Sequence, residues 1–250
     1  MKNDLSLNGI LMLFLTLTCV TLVLTGLNAV LKAGGWEIRR RRAITFKTVS
    51  VISIWMLLLA VLSVKGFFAD FSQLPPKPAL AILLPLPFVL LFAFSKGGTQ
   101  FLQSVPSHWL VYMQSFRILV EILLWLAFLA GKLPVQMTFD GRNLDVLSGI
   151  LALPAGYLLS KRKGYSSTAG VIYNSIGLLL LLNILVIAVL SMPTSLRYFM
   201  NEPSNFLVAR FPYIWLPGVL VPLAYTLHIF SLRQLLTRKH EQKVAGQLAV

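Results

Sequence analysis

One apolar stretch, from Trp109 to Ala130, carries the residues whose types could do chemistry inside a membrane. Arg117 and Glu121 are full charges of opposite sign, and Gln114 adds an amide, in a segment otherwise suited to lipid. Spacings of three and four place these side chains on one face of a helix, where Arg117 and Glu121 are predicted either to pair with each other or to bond to other helices. A charge at the bilayer centre costs roughly 2.5 to 3.5 kcal/mol on insertion scales. This face is therefore predicted to contact other helices or a polar cavity.

Three further polar residues lie in later apolar segments. Asn174 is in a stretch that begins near residue 168, and Tyr225 and His228 share a helical face in the last apolar stretch. Polar side chains at this depth need partners within the protein, so each is predicted to face the helix bundle. The residues that we predict to line a binding cavity are Gln114, Arg117, Glu121, Asn174, Tyr225 and His228.

The composition indicates which class of protein positions these side chains. Hydrophobic residues make up 57% of the 250 residues and charged residues 12%, and the mean hydropathy is +0.79. This balance predicts an all-α, polytopic membrane protein. A spanning helix needs about 20 mainly apolar residues, and seven stretches of roughly this kind leave only short loops between them. We therefore predict seven transmembrane helices in a single helical-bundle domain over residues 1–250. The predicted segments cover about residues 5–31, 44–64, 79–95, 109–130, 146–160, 168–190 and 211–232.

Basic residues set the predicted orientation of the chain. Arg39, Arg40, Arg41 and Arg42 form the densest charge run, and by the positive-inside rule their loop stays in the cytoplasm. The amino terminus is then outside and the carboxyl terminus cytoplasmic, in what we expect to be a bacterial inner (plasma) membrane. The arginine run could also bind anionic membrane lipids, although a topology signal is the simpler interpretation.

Prolines predict where two of the helices bend. Pro85 and Pro87 remove backbone donors from the third segment and should kink or break it near its middle. Pro212, Pro217 and Pro222 should prevent the seventh segment from being straight.

The loop from Lys132 to Asp145 is the most polar on the predicted outer face. Asp140 and Asp145 could act as acid and base, but their spacing is specific to no reaction, so a solvated turn with local charge pairing is predicted. The short segment after this loop places Ser148, Ala152 and Gly156 four residues apart, which predicts close helix packing.

Other chemistries find little support in the sequence. The chain has one cysteine, Cys19, and three histidines without neighbouring ligands, so neither an intramolecular disulfide nor a metal site is predicted. His228 and Ser231 are three residues apart, a spacing too common to indicate a nucleophilic enzyme. An enzyme is not favoured and no cofactor is predicted. Despite the net charge of +14, the basic residues lie between apolar segments, which excludes a nucleic-acid-binding surface.

Two functions from different classes remain open. The first is a carrier or small-molecule-binding pore with a polar cavity around Arg117 and Glu121, opened by the proline-bent third and seventh helices. The second is a non-catalytic membrane subunit or sensor, in which the buried ion pair fixes the helix register and the loops engage a protein partner. A polar cavity that reaches Arg117 would favour the first, and complete sealing of this residue would favour the second.

Overall fold

A computed structural model describes the backbone of residues 6–161 and 165–248 and the side chains of residues 6–161 and 168–238. This part of the chain is mostly helical and contains no strand, in agreement with the predicted all-α class. The helices are α1 (Leu7–Ala33), α2 (Ile38–Val64), α3 (Lys77–Leu83), α4 (Pro85–Phe94), α5 (Lys96–Ser104), α6 (Ser107–Tyr112), α7 (Phe116–Leu129), α8 (Val146–Lys161), α9 (Tyr165–Leu190) and α10 (Val221–Leu248).

Six helical stretches among the described residues are long and apolar enough to cross a membrane. They identify the chain as an integral, multi-pass membrane protein. The predicted fifth segment corresponds to α8, which has 16 residues and extends about 24 Å, less than the roughly 30 Å of a hydrocarbon core. The six stretches are Leu7–Ala33, Ile38–Val64, Lys77–Phe94, Ser107–Leu129, Thr168–Leu190 and Leu216–Arg238.

The predicted break in the third segment is confirmed. Helix α3 ends at Leu83 and α4 begins at Pro85, because the proline rings remove the amide donors that a continuous helix would need. Near this break the carbonyl of Ile82 accepts a hydrogen bond from the Tyr225 hydroxyl at 3.0 Å. This bond ties the end of α3 to α10.

The seventh segment is also irregular, as its prolines predicted. A π-helical turn (Leu216–Leu220) precedes α10. Pro222 has no N–H, so the carbonyl of Gly218, four residues earlier, has no α-helical donor. The indole nitrogen of Trp55 donates to that carbonyl at 2.8 Å. Helix α2 is thereby attached to the least regular part of the bundle.

Helix α5 connects α4 to α6 and is held by side chains at both of its ends. The Ser95 hydroxyl accepts a hydrogen bond from the amide of Gly98 at 2.9 Å and caps its amino terminus. At the other end, the Gln234 side chain of α10 donates to the carbonyl of Val105 at 2.6 Å and also to that of Leu102. The Leu102 carbonyl also accepts from the amide of Val105, the C-cap residue, so Gln234 reinforces the capped end of α5.

The small-residue stripe of α8 packs as predicted. Ser148, Ala152 and Gly156 are all buried. A Cβ atom added at Gly156 would lie 2.7 Å from ring carbons of Tyr112 in α6, so only glycine allows this approach. Helix α8 therefore lies close to α6, and its amino terminus is brought beside α7.

Candidate functional site

Arg117 is the centre of a buried polar network. Its side chain is 2% exposed. The guanidinium donates through Nε to Asp145 Oδ2 at 2.7 Å and through Nη2 to Asp145 Oδ1. The two residues therefore form a bidentate ion pair. Nη1 donates to the Ser148 hydroxyl at 2.8 Å and to His228 Nε2 at 2.9 Å. One side chain thus joins α7, α8 and α10.

Asp145 corrects the prediction of a solvated turn for its loop. Asn143 and Asp145 are buried, whereas Asp140 is exposed. Arg117 lies twelve residues before the end of α7, about 18 Å along the helix axis. Since Asp145 reaches Arg117 from just before α8, the loop must extend back along α7 from its carboxyl-terminal end. Irregular backbone at such depth is tolerated where protein surrounds it.

The hydrogen bonds of His228 define the tautomer of its ring. Arginine has only donors, so Nε2 must be the acceptor in its bond with Arg117, and the ring proton resides on Nδ1. Nδ1 then donates to Asn174 Oδ1 at 2.9 Å. The ring is fully buried, and both of its nitrogens are satisfied.

Helix α9 extends the network through Asn174. Its amide nitrogen donates to the Ser231 hydroxyl at 2.8 Å and to the carbonyl of Gly170 at 2.7 Å. The Tyr173 hydroxyl donates to the carbonyl of Ser148 at 3.0 Å. Gly177 permits this packing, since a side chain there would collide with the His228 ring.

Glu121 is held separately from the ion pair. Both of its carboxylate oxygens accept from Asn143 Nδ2 at 2.7 Å. The Asn143 side-chain oxygen accepts in turn from the Asp145 amide at 3.0 Å, so one asparagine positions both carboxylates. Among the described residues, no ion pair joins Arg117 to Glu121; of the two arrangements that their spacing allowed, the structure has each residue bonded to a different partner.

Gln114 and Tyr225 are buried but lie outside this network. The Gln114 amide donates to the carbonyl of Ala224 at 3.0 Å, and Tyr225 donates to Ile82 as described above. Both side chains therefore bond helix backbone. The structure brings Arg117, Asn174 and His228 into one continuous network, with Glu121 attached through Asn143.

A cavity of about 60 Å³ lies beside the charged groups. Arg117, Glu121 and Asp145 form part of its wall, and the rest is apolar. A buried water needs about 10 to 15 Å³, so this cavity has room for about four waters or a solute of a few heavy atoms. Its lining includes Met137 and Met192 from the two loops that precede α8 and follow α9.

Acidic groups outnumber basic groups at the cavity wall. Arg117 is paired with Asp145, and Glu121 is a second carboxyl group beside this single guanidinium. Within the side chains described, no group of three or more His, Cys, Asp or Glu residues could hold a metal ion. The Glu121 carboxyl group is bonded to the Asn143 amide and forms no ion pair with a basic side chain that the structure describes.

Asp145, Asn143 and Ser148 are the members of this site that sequence reasoning missed. A signal existed for Asp145, because the apolar segment after it is shorter than a usual span, so its start is expected below the membrane surface. Asn143 carried no comparable signal, since an asparagine two residues from an aspartate is common in solvated turns.

Comparison with known proteins gives one match. A family model described as "Domain of unknown function (DUF8737)" matches residues 77–236. No curated protein and no solved structure matches the chain. All of the network residues fall within the matched range.

Proposed function

This chain belongs to the DUF8737 family, and from the geometry of its buried site we propose that it is a membrane carrier, or a binding pore, for a small organic cation. The observation that carries the proposal is the excess of acidic over basic side chains at the cavity. Two buried carboxylates, Glu121 and Asp145, accompany one guanidinium, and Arg117 pairs with Asp145. An ionisable residue within a membrane protein is a functional candidate by default, because it is costly to keep.

The walls of the cavity favour an organic cation over a hydrated ion. Apart from the three charged residues the lining is apolar, so few groups could replace the water around an inorganic ion. Unit charges 4 Å apart attract by about 4 kcal/mol at an effective dielectric constant of 20. Methylammonium has this charge in a body of two heavy atoms, small enough for the cavity.

The proposal includes the topology that the basic residues predict. We propose seven spans in a bacterial plasma membrane, with α8 as a short fifth span, the amino terminus outside and the carboxyl terminus cytoplasmic. The cavity would then lie toward the outer half, beneath the loops that contain Met137 and Met192. A reporter at the carboxyl terminus should signal cytoplasm and one at Gly141 the outside, and the reverse labelling would contradict this orientation.

The test compares two neutralised carboxylates in proteoliposomes. We expect uptake of radiolabelled methylammonium, and Glu121→Gln should reduce it at least tenfold, because the variant keeps an acceptor for Asn143 but loses the charge. Asp140→Asn is the matched control, since Asp140 is exposed and bonds Trp125 through Oδ2, and its uptake should stay unchanged. No uptake by the unaltered protein, or equal uptake by Glu121→Gln, would contradict the proposal.

The alternative is a non-catalytic subunit or sensor, and one observation favours it. The Arg117 guanidinium is bonded to Asp145, Ser148 and His228 and is almost completely buried. Such a network can fix helix register without a ligand. If the unaltered protein takes up methylammonium and a stable Glu121→Gln variant does not, the carrier is supported. If methylammonium neither binds nor crosses, the subunit is supported, and its protein partner should be sought by co-purification.

A further inference from the structure

A second, larger apolar groove lies between the amino-terminal helices and the irregular seventh segment. Its volume is about 440 Å³, in the range of small-molecule binding sites. Helices α1 and α2 form one side, and the α3–α4 break and residues 218–226 form the other. The lining residues include Val20 from α1, Val51 and Trp55 from α2, and Phe88 from α4.

The groove is open to the side, where the bilayer would be. Val51 is 67% exposed, Leu84 54% and Phe88 73%, although all three lie in apolar helical stretches or at their break. Exposed apolar walls at this depth face hydrocarbon rather than water. A molecule with a long apolar chain can therefore enter from the membrane.

One face of α2 leads from this groove to a pair of cations. Arg40, Lys47, Val51 and Trp55 are spaced by seven, four and four residues, so they form a single stripe along the helix. Lys47 is about 6 Å along the axis from the groove-lining Val51, and Arg40 lies two turns beyond it. Both cations are exposed, and the acidic residue nearest to them in sequence is Glu37, the N-cap residue of α2, ten residues before Lys47.

Along this stripe the two cations come first and the apolar groove follows. In an anionic phospholipid the phosphate comes first and the acyl chains follow, so the two orders match. We propose that the groove binds one acyl chain of such a lipid and that its phosphate contacts Lys47 and Arg40. The guanidinium of Arg40 also lies 4.5 Å from the ring centre of Trp36, a residue type that favours the headgroup region. Basic residues beside grooves between transmembrane helices are suited to lipid phosphates.

The headgroup contact is tested with two charge-removing variants of the full chain. Native mass spectrometry of the detergent-purified protein should show phosphatidylglycerol bound more tightly than phosphatidylcholine of the same chains. Each basic residue near anionic lipid contributes roughly fivefold, so Arg40→Gln/Lys47→Gln should weaken phosphatidylglycerol binding by roughly 25-fold. Arg42→Gln is the control, because it removes a charge about 140° around the helix from Lys47 and should leave binding within about twofold.

The acyl-chain contact is tested by filling the groove. Val51→Trp should lower binding of both lipids, whereas Val49→Trp, which alters the opposite side of α2, should not. Soluble glycerol phosphate should fail to compete at equal concentration. Equal affinity for the two lipids, an unchanged Arg40→Gln/Lys47→Gln variant, equal effects of Val51→Trp and Val49→Trp, or effective competition by glycerol phosphate would each overturn the proposal.

Discussion

Removal of the Arg117 side chain should be the most damaging single change in the bundle. Arg117→Leu leaves Asp145 buried without its cation, and it leaves Ser148 and His228 without their donor. The two members of the ion pair are 2% and 8% exposed, so bulk solvent does not reach the groups that lose their contacts. Breaking such a pair typically costs 3 to 5 kcal/mol, whereas an apolar replacement of both partners can be near neutral. Arg117→Leu/Asp145→Leu should therefore recover much of the loss.

A pair of double-mutant cycles identifies the carboxylate to which Arg117 is coupled. Groups in direct contact show interaction energies of roughly 0.5 to 3 kcal/mol, and we expect a value of about 2 kcal/mol or more for Arg117 with Asp145. The cycle with Glu121 should give a smaller value, because Glu121 bonds Asn143 instead. Arg117→Leu/Glu121→Leu should accordingly recover less stability, since Asp145 remains buried and unpaired.

The assay is reversible unfolding in mixed detergent, followed by tryptophan fluorescence and far-ultraviolet circular dichroism. Lys77→Leu is the control for loss of a cation at an exposed pair: Lys77 bonds Asp70 at 2.6 Å, but the Asp70 side chain is 41% exposed. We expect little change there, because exposed ion pairs contribute little. A larger interaction energy for Arg117 with Glu121 than with Asp145 would refute the arrangement described above, and additive losses in both cycles would refute any ion pair at Arg117.

Three further predictions concern the packing and the hydrogen bonds of the bundle. Trp55→Phe should cost about 1 to 3 kcal/mol of unfolding free energy, because the carbonyl of Gly218 loses its donor in an apolar groove. Gly156→Ala should cost about 1 to 3 kcal/mol by overpacking, whereas Gly26→Ala, where nothing lies within 4 Å of an added Cβ, should be neutral or stabilising in the same melt. Nitrogen-15 NMR of His228 should show the Nδ1–H tautomer, and an Nε2–H tautomer would contradict its bond to Arg117.

Helix-level features were predictable because they depend on residues close in sequence. Apolar length located the membrane segments, Pro85 placed the break between α3 and α4, and the spacing of small residues in α8 predicted its close packing. Burial of Arg117 also followed from the cost of exposing a charge to lipid. Each of these inferences uses a local rule that tertiary contacts did not override.

The partner of Arg117 was not predictable from spacing alone. A spacing of four residues places Glu121 within reach of Arg117. The long arginine side chain can, however, bond to any acceptor of similar distance, whichever part of the chain supplies it. Asp145 competes from a loop that descends beside α7, and it presents both of its oxygens to the guanidinium fork. That descent depends on how deeply the short helix α8 begins, which is a property of the assembled bundle.

The two proposed sites share no lining residue, so each proposal can be contradicted without affecting the other. The ion-pair network and its cavity lie within residues 77–236, the range that matches the DUF8737 family. Five of the fourteen residues that line the lipid groove are in α1 and α2, which precede that range, and its cations are on α2 alone. A change at Lys47 alters no contact of Glu121, and Glu121→Gln alters none of the groove-lining residues. Loss of methylammonium uptake without loss of bound phosphatidylglycerol, or the reverse, can therefore be assigned to one site.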